Sequence, residues 1–362
     1  MKRAVLPLAV LSAFASTALA DGLVFLATWP KQIQVVDEAR QQVIDHIQLS
    51  TGTTYGIKLS GDRKTMYAST VDHNGIEVID VATRKVTNAF VLDEGEKRVR
   101  CFGFEPDPDG KVLYTLTRVA EKKIDRFEIA PLKFAVIDLA QKKIVRTADF
   151  PKEEDQGIYG RGNMRVSPDG KYLYLFGRTI LIFGTADFKL VDKIELAKPE
   201  YPGMMNVGLG QELDSLQESG QLVSVFNSSD PAVRRQIFGI ARFDLTRRTF
   251  NFTPIGPTTT GMMGLHVTPD RKTGYTVAMS GGQGNKRSEF WVFDLTTNRL
   301  VRKQEFDGRS RFSFGLSSTG KNLYIYGAGY QLEIYDAASL QLRNTIDLNA
   351  DTTGGMIVLP GR

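Results

Sequence analysis

The sequence predicts an all-β protein, a seven-bladed β-propeller of four-stranded blades, and three observations predict it. A short strand recurs in seven copies about 50 residues apart, a spacing that suits a propeller blade and is too long for ankyrin or tetratricopeptide units. A tight polar turn follows each copy, with a second hairpin before the next one. The two ends of the chain carry complementary halves of one blade.

The recurring strand ends in an acidic residue in six copies: QIQVVD at Asp37, IEVID at Asp80, FAVID at Asp138, GIARFD at Asp244, FWVFD at Asp294 and LEIYD at Asp336. ILIFG, ending at Gly184, takes the same place in the seventh. Alternation of apolar and polar positions argues for strands over helices. A polar turn and an outer strand follow, as in ATRKVTNAFVL (82 to 92), AQKKIVRTADF (140 to 150) and AASLQLRNTIDL (337 to 348). The chain returns through IKLSGDRKTMY, FEPDPDGKVLY, VSPDGKYLY, VTPDRKTGY or LSSTGKNLY, a strand and a tight turn. In Pro168-Asp169-Gly170 the proline presets φ and the glycine is free to take a positive φ. Each blade is thus four strands, A to D, with an inner A–B hairpin. The tyrosines at 67, 114, 174, 275 and 324 are expected to pack between blades.

The N-terminal GLVFLATW matches a B strand without a preceding A, and TTGGMIVLP (352 to 360) matches an A strand without a following B. Pairing them completes a blade and leaves no open sheet edge. Three copies carry insertions, all between strands B and C: Val119 to Pro131, Ser228 to Gln236 and Gly281 to Ser288. One face of the propeller is therefore the elaborated one, where function is expected.

Residues 1–20 read as a secretory signal: Lys2 and Arg3, an apolar run from Ala4 to Ala15, and the small-residue site Ala18-Leu19-Ala20. The propeller domain is accordingly expected over 21–362, about 340 residues and ample for one core, in the periplasm of a Gram-negative cell. No later apolar run reaches the roughly 18 residues a membrane span needs. The single cysteine, Cys101, excludes an internal disulfide and a multi-cysteine metal cluster and is read as a structural thiol. The net charge of +5 is spread along the chain, which argues against a nucleic-acid partner.

Catalytic motifs are missing. The three histidines, His46, His73 and His266, fall in different blades without metal-binding spacing, and there is no CxxCH haem attachment site. GQGNK (282 to 286) follows no βαβ pattern, and no GxSxG elbow occurs. The candidate site is positional. The starts of the A strands are expected at the channel mouth and bring Arg98, Arg100, Arg161, Arg309 and Arg311 beside Tyr55, with Met204, Met205, Met262 and Met263 nearby. Such a ring of arginines would focus a positive potential able to hold a carboxylate or an acidic protein patch. Pairing of the same arginines with aspartates in neighbouring loops is the structural alternative, and the methionines are read as tunnel packing.

The runs IDRFEIAPLKFAVID, SPDGKYLYLFGR and LSSTGKNLYIYGAGYQLEIYDAASLQLRNTIDL together resemble the β subunit of quinohemoprotein amine dehydrogenase. The resemblance spans most of the chain past the leader and diverges over roughly residues 197 to 240. It implies a periplasmic complex that oxidises primary amines to aldehyde and ammonia. In that family the β subunit is a propeller that holds no cofactor, the quinone cofactor sits in a small quinone-bearing subunit, and c-type haem sits in a dihaem cytochrome c-like subunit. No catalytic residue of the family maps onto this chain. The alternative is a stand-alone periplasmic YVTN-type propeller that binds a protein or ligand. A propeller lactonase would need metal or acid/base residues converging on the channel, which the inventory above does not supply.

Overall fold

The computed structural model describes residues 22–72, 74–157, 163–177, 179–195, 205–209, 220–230, 235–258, 260–282, 285–309, 311–327 and 329–361. The expected leader and His73 lie outside them. The described strands form seven antiparallel sheets. Blades 2, 4, 5 and 7 run in sequence order from inner to outer strand. Blade 2, for example, comprises Thr54–Leu59, Thr65–Thr70, Gly75–Asp80 and Lys85–Val91. Blade 1 is closed by the two ends: the C-terminal Thr352–Leu359 supplies strand A to Leu23–Thr28, Gln32–Asp37 and Gln42–Gln48. Val24 lies opposite Val358 and Phe25 opposite Ile357.

The apolar core is divided into seven clusters, one between each neighbouring pair of blades. Because successive side chains of a strand point to opposite faces, Phe25, Ile33 and Val35 pack against blade 2, while Val24, Leu26 and Val36 pack against blade 7. Middle strands are covered on both faces and so read as nearly continuous apolar runs. Outer strands are half exposed, as in Lys143–Asp149 and Leu190–Glu195, and keep the alternating pattern or lose it.

The recurring aspartate has a structural cause. It sits at the end of strand C and accepts hydrogen bonds from the backbone of the following turn: Asp80 Oδ1 from Thr83 N at 2.7 Å, Asp138 Oδ1 from Gln141 N at 2.8 Å, Asp336 Oδ1 from Ser339 N at 2.6 Å. The turn then passes through a left-handed residue, among them Gln41, Lys142, Phe188 and Leu340, with φ between 52° and 61°. That residue makes the bulge that keeps the strand twist continuous through a short hairpin. The amides lower the carboxyl pKa at Asp138 and Asp336, and at Asp294 the Thr296 and Thr297 hydroxyls bring it to about 2. In blade 4 the acid has moved into the turn, where Asp187 Oδ1 accepts from Lys189 N at 3.1 Å; Gly184 leaves room for it.

The tyrosines do pack between blades. Tyr174 donates to Leu245 O of the next blade at 2.7 Å, and Tyr324 donates to Glu38 Oε1 at 2.8 Å. Glu38 is 5% exposed and closes the seam between blades 7 and 1. Its carboxylate also accepts from Gly22 N at 2.9 Å, from Ser318 N at 3.1 Å and from the Ser318 hydroxyl.

All three insertions lie between strands B and C, as the sequence predicts. In blade 3 the long strand Val112–Lys122 continues past the blade, and Phe127–Ile129 folds back onto it, with Ile129 opposite Ala120. In blade 5 the insertion lengthens strands Gln221–Asp230 and Arg235–Asp244. In blade 6 it links Thr273–Ser280 to Arg287–Asp294.

Candidate functional site

The inner strands of the blades border a central cavity of about 390 Å³. The side chains that face it follow from register. On strand A the residue opposite the interblade tyrosine of strand B is Lys58 in blade 2, Glu105 in blade 3, Arg165 in blade 4, His266 in blade 6 and Gly315 in blade 7. In blade 1 the corresponding residue is Ile357, opposite Phe25. In the six blades where it is described, this position is thus brought towards a common axis, and it carries different chemistries.

Blades 2, 3 and 4 form a charged wall. Lys58 Nζ contacts Glu105 Oε2 and donates to Met164 O at 3.2 Å, and Arg165 Nη1 lies 3.6 Å from the same Glu105 oxygen. The three side chains are 13–24% exposed, so this network is shielded from bulk water but opens on the cavity. Burial lowers the Lys58 pKa to about 8; Glu105 opposes that shift and the Arg165 charge adds to it. The opposite wall is apolar: Phe314, Met356 and Ile357, with the His266 ring set edge-on to Phe314 at 4.6 Å. A side chain at Gly315 would meet the Met356 methyl, so glycine there lets Met356 reach across. Arg63, Asp107, Tyr55 and Tyr326 are the other titratable lining residues among those described. Asp107 is engaged by the amides of Lys111 at 2.7 Å and Val112 at 2.8 Å in its own turn.

The sequence-predicted channel-mouth residues are distributed more widely. Tyr55 borders the central cavity and also a small side pocket that it shares with Arg100 and Cys101. Arg100 is exposed and lies over the Phe102 ring at 5.7 Å. Arg98 pairs with Asp93 at 3.6 Å and donates to Gly95 O at 2.8 Å. Arg309 pairs with Glu333 at 2.7 Å and donates to Gly327 O at 3.0 Å, the structural pairing weighed above. Arg311 is exposed. Arg161 and Met204 lie outside the described residues, as does the side chain of Met205. Met262 is buried and Met263 packs against the core between blades 6 and 7. Cys101 is half-buried in the core between blades 2 and 3, and burial raises its thiol to about 11.

Lys58, Glu105 and Arg165 lie deeper along the inner strands than the strand starts that the sequence singles out; Lys58 is three residues, about 10 Å, beyond Tyr55. A signal existed: each lies two residues before the turn residue, Ser60, Asp107 or Ser167. His266 and Gly315 stand likewise before Thr268 and Ser317. The three charged residues are of three types, so no repeated letter marks them. Among the described residues no group of three or more His, Cys, Asp or Glu is placed to hold a metal ion.

No family model matches the chain, and no curated protein matches it either. Solved structures do. Hydrazine synthase from Kuenenia stuttgartiensis is similar with a TM-score of 0.50 and 16% identity, over 83% of this chain and 88% of that one. A functionally unknown protein from Desulfotomaculum acetoxidans aligns with a TM-score of 0.59 and 12% identity, over 94% and 99% of the two chains. The dihydro-heme d1 dehydrogenase NirN aligns with a TM-score of 0.55 and 15% identity, over 97% of this chain and 77% of that one. At these identities the likeness establishes a shared seven-bladed propeller scaffold.

Proposed function

We propose that this chain is a cofactor-free propeller subunit of an exported, periplasmic amine-oxidising complex. The small quinone-bearing subunit docks on its insertion-bearing face, and a dihaem cytochrome c-like subunit completes the assembly. The observation that carries this reading is the arm of blade 3. Ile124 is fully exposed at its tip, and Phe127 and Ile129 are 67% and 68% exposed. The arm is nevertheless an ordered hairpin: Lys123 N donates to Arg126 O at 2.8 Å, Lys123 pairs with Glu121, and Arg126 pairs with Glu128, both at 2.6 Å. Its charges are neutralised among themselves while its large apolar side chains are left in water. Burying each against a partner would contribute roughly 1.5–3 kcal/mol, and an ordered apolar projection of this kind marks an interaction surface. The same residues lie in the segment that resembles the amine dehydrogenase subunit.

The test is affinity purification of the tagged chain from periplasmic extract, with c-type haem absorbance and mass spectrometry of the co-purifying chains as readouts. The native chain is expected to bring down a haem protein and a small quinone-bearing subunit. The double variant Ile124→Ser, Phe127→Ser should lose them while melting at an unchanged temperature. Retention of the partners by that variant, or a lone propeller from native extract, would refute the reading.

A further inference from the structure

The central cavity holds a reactive group that docking does not use. Lys58 stands on its charged wall, with Glu105 in contact and Met164 O at 3.2 Å, and its side chain keeps 24% of its surface exposed. An ion pair that did no more than tie blade 2 to blade 3 would hold its lysine protonated. Here burial and the neighbouring Arg165 charge outweigh Glu105 and bring Lys58 to about 8. At pH 7 roughly one Lys58 in ten is then a free amine, against roughly a few in ten thousand at the ordinary lysine value. A desolvated lysine beside a second cation is the usual setting of an amine nucleophile that attacks carbonyl groups.

The remaining lining fits one kind of carbonyl compound. The volume of about 390 Å³ falls in the range of small-molecule sites, roughly 300–1,000 Å³. Phe314, Met356 and Ile357 face the charged wall and would receive an apolar body. The Glu105 carboxylate already touches Lys58 Nζ, where it can carry the protons that carbonyl addition requires. We infer that Lys58 captures a small, uncharged aldehyde in this cavity as a protonated Schiff base, with the apolar body of the aldehyde against Phe314, Met356 and Ile357. Lys58 gives an ammonium proton to Glu105, and the nitrogen lone pair forms the C–N bond while the carbonyl π pair moves to oxygen. A proton passes from nitrogen to that oxygen by way of Glu105, giving a neutral carbinolamine. Glu105 then protonates the hydroxyl, the nitrogen lone pair forms the C=N bond, and the C–O bond breaks to release water. Ammonium and aldehyde thus become iminium and water without any oxidant or reductant. The charge beside Glu105 is the same before and after, so the ion pair survives the capture.

This inference concerns the isolated chain and does not depend on the docking reading. The probe is benzaldehyde, added to the purified native propeller at pH 7 with sodium cyanoborohydride, which reduces the iminium to a stable benzylamine. Peptide mass spectrometry then reads the rate of benzylation at each lysine. Lys58 is expected to react at least about tenfold faster than the exposed Lys85 and Lys143. Its rate should saturate with benzaldehyde concentration, and benzyl alcohol, which has the same shape without the carbonyl, should slow it. In guanidinium chloride the three lysines should react alike. Lys58→Arg should lose the fast site and leave the exposed lysines unchanged, and the native readout stands even if that variant fails to fold. Reaction of Lys58 no faster than Lys85 and Lys143, a rate linear in benzaldehyde and indifferent to benzyl alcohol, or selectivity that persists after unfolding would each overturn the proposal.

Discussion

The seam between blades 7 and 1 and the charged wall of blades 2 to 4 both place ionisable side chains inside the propeller, and they do so in opposite ways. At the seam, one carboxylate with no cation paired to it among the described residues receives donors from Gly22, Ser318 and Tyr324, which come from residue 22 and from blade 7. Its charge is carried by fixed hydrogen bonds in a closed interior, and the ring closes through them. At the wall, two cations share one carboxylate, side chains remain partly exposed to a cavity, and Lys58 is brought to about 8 by burial. A buried charge with its donors complete is a latch; one that borders a cavity, with its pKa moved by burial, is a candidate site.

This contrast can be broken experimentally. The largest effect is expected at the seam: Glu38→Ala leaves several buried donors without an acceptor and opens the closure, so it should lower unfolding free energy by at least about 3 kcal/mol in urea titrations. A loss under about 1 kcal/mol would show that the A–B pairing of Thr352–Leu359 with Leu23–Thr28 closes the ring unaided. The wall should respond chiefly to pH. A lysine whose folded pKa lies near 8, below its unfolded value of about 10.5, gives up its proton in the folded state first. The unfolded chain then holds more protons, and stability rises with pH between those values, by at most about 1.4 kcal/mol per pH unit. Lys58→Met should remove that component of the slope; equal slopes in both proteins would mean that Lys58 is not desolvated. The smallest effect is expected at an ordinary blade junction: Tyr174→Phe removes the 2.7 Å bond to Leu245 O and should cost about 1 kcal/mol. An effect as large as that of Glu38→Ala would mean that the closing seam is no more critical than any other.

Much of this arrangement is legible in the residues. The acidic end of strand C repeats because a carboxylate caps the next turn, a local requirement that every blade meets anew; blade 4 shows the rule by moving its acid from 184 to Asp187. Tyr174 and Tyr324 are readable for the same reason, since a strand that is buried on both faces needs a side chain able to reach the neighbouring blade with a polar tip. The candidate site is less legible in the residues. Arg98 and Arg309 follow the same spacing as Arg100 and Arg311, yet Asp93 and Glu333 engage the first pair, and neither partner can be identified from spacing alone. Glu38 was also invisible, because it follows a strand that already ends in Asp37 and its donors come from 16 and about 280 residues away.

The sequence by itself determined the four-stranded blade as the repeating unit, the seven blades, the B–C position of the insertions and closure by the chain's own ends. Periodicity, turn chemistry and complementary termini are properties of neighbouring residues or of whole repeats. Only the tertiary structure decided which side chains meet. Lys58, Glu105 and Arg165 are about 50 residues apart, one to a blade, and become neighbours because rotation about the propeller axis superposes equal register positions while leaving each blade free to choose its residue.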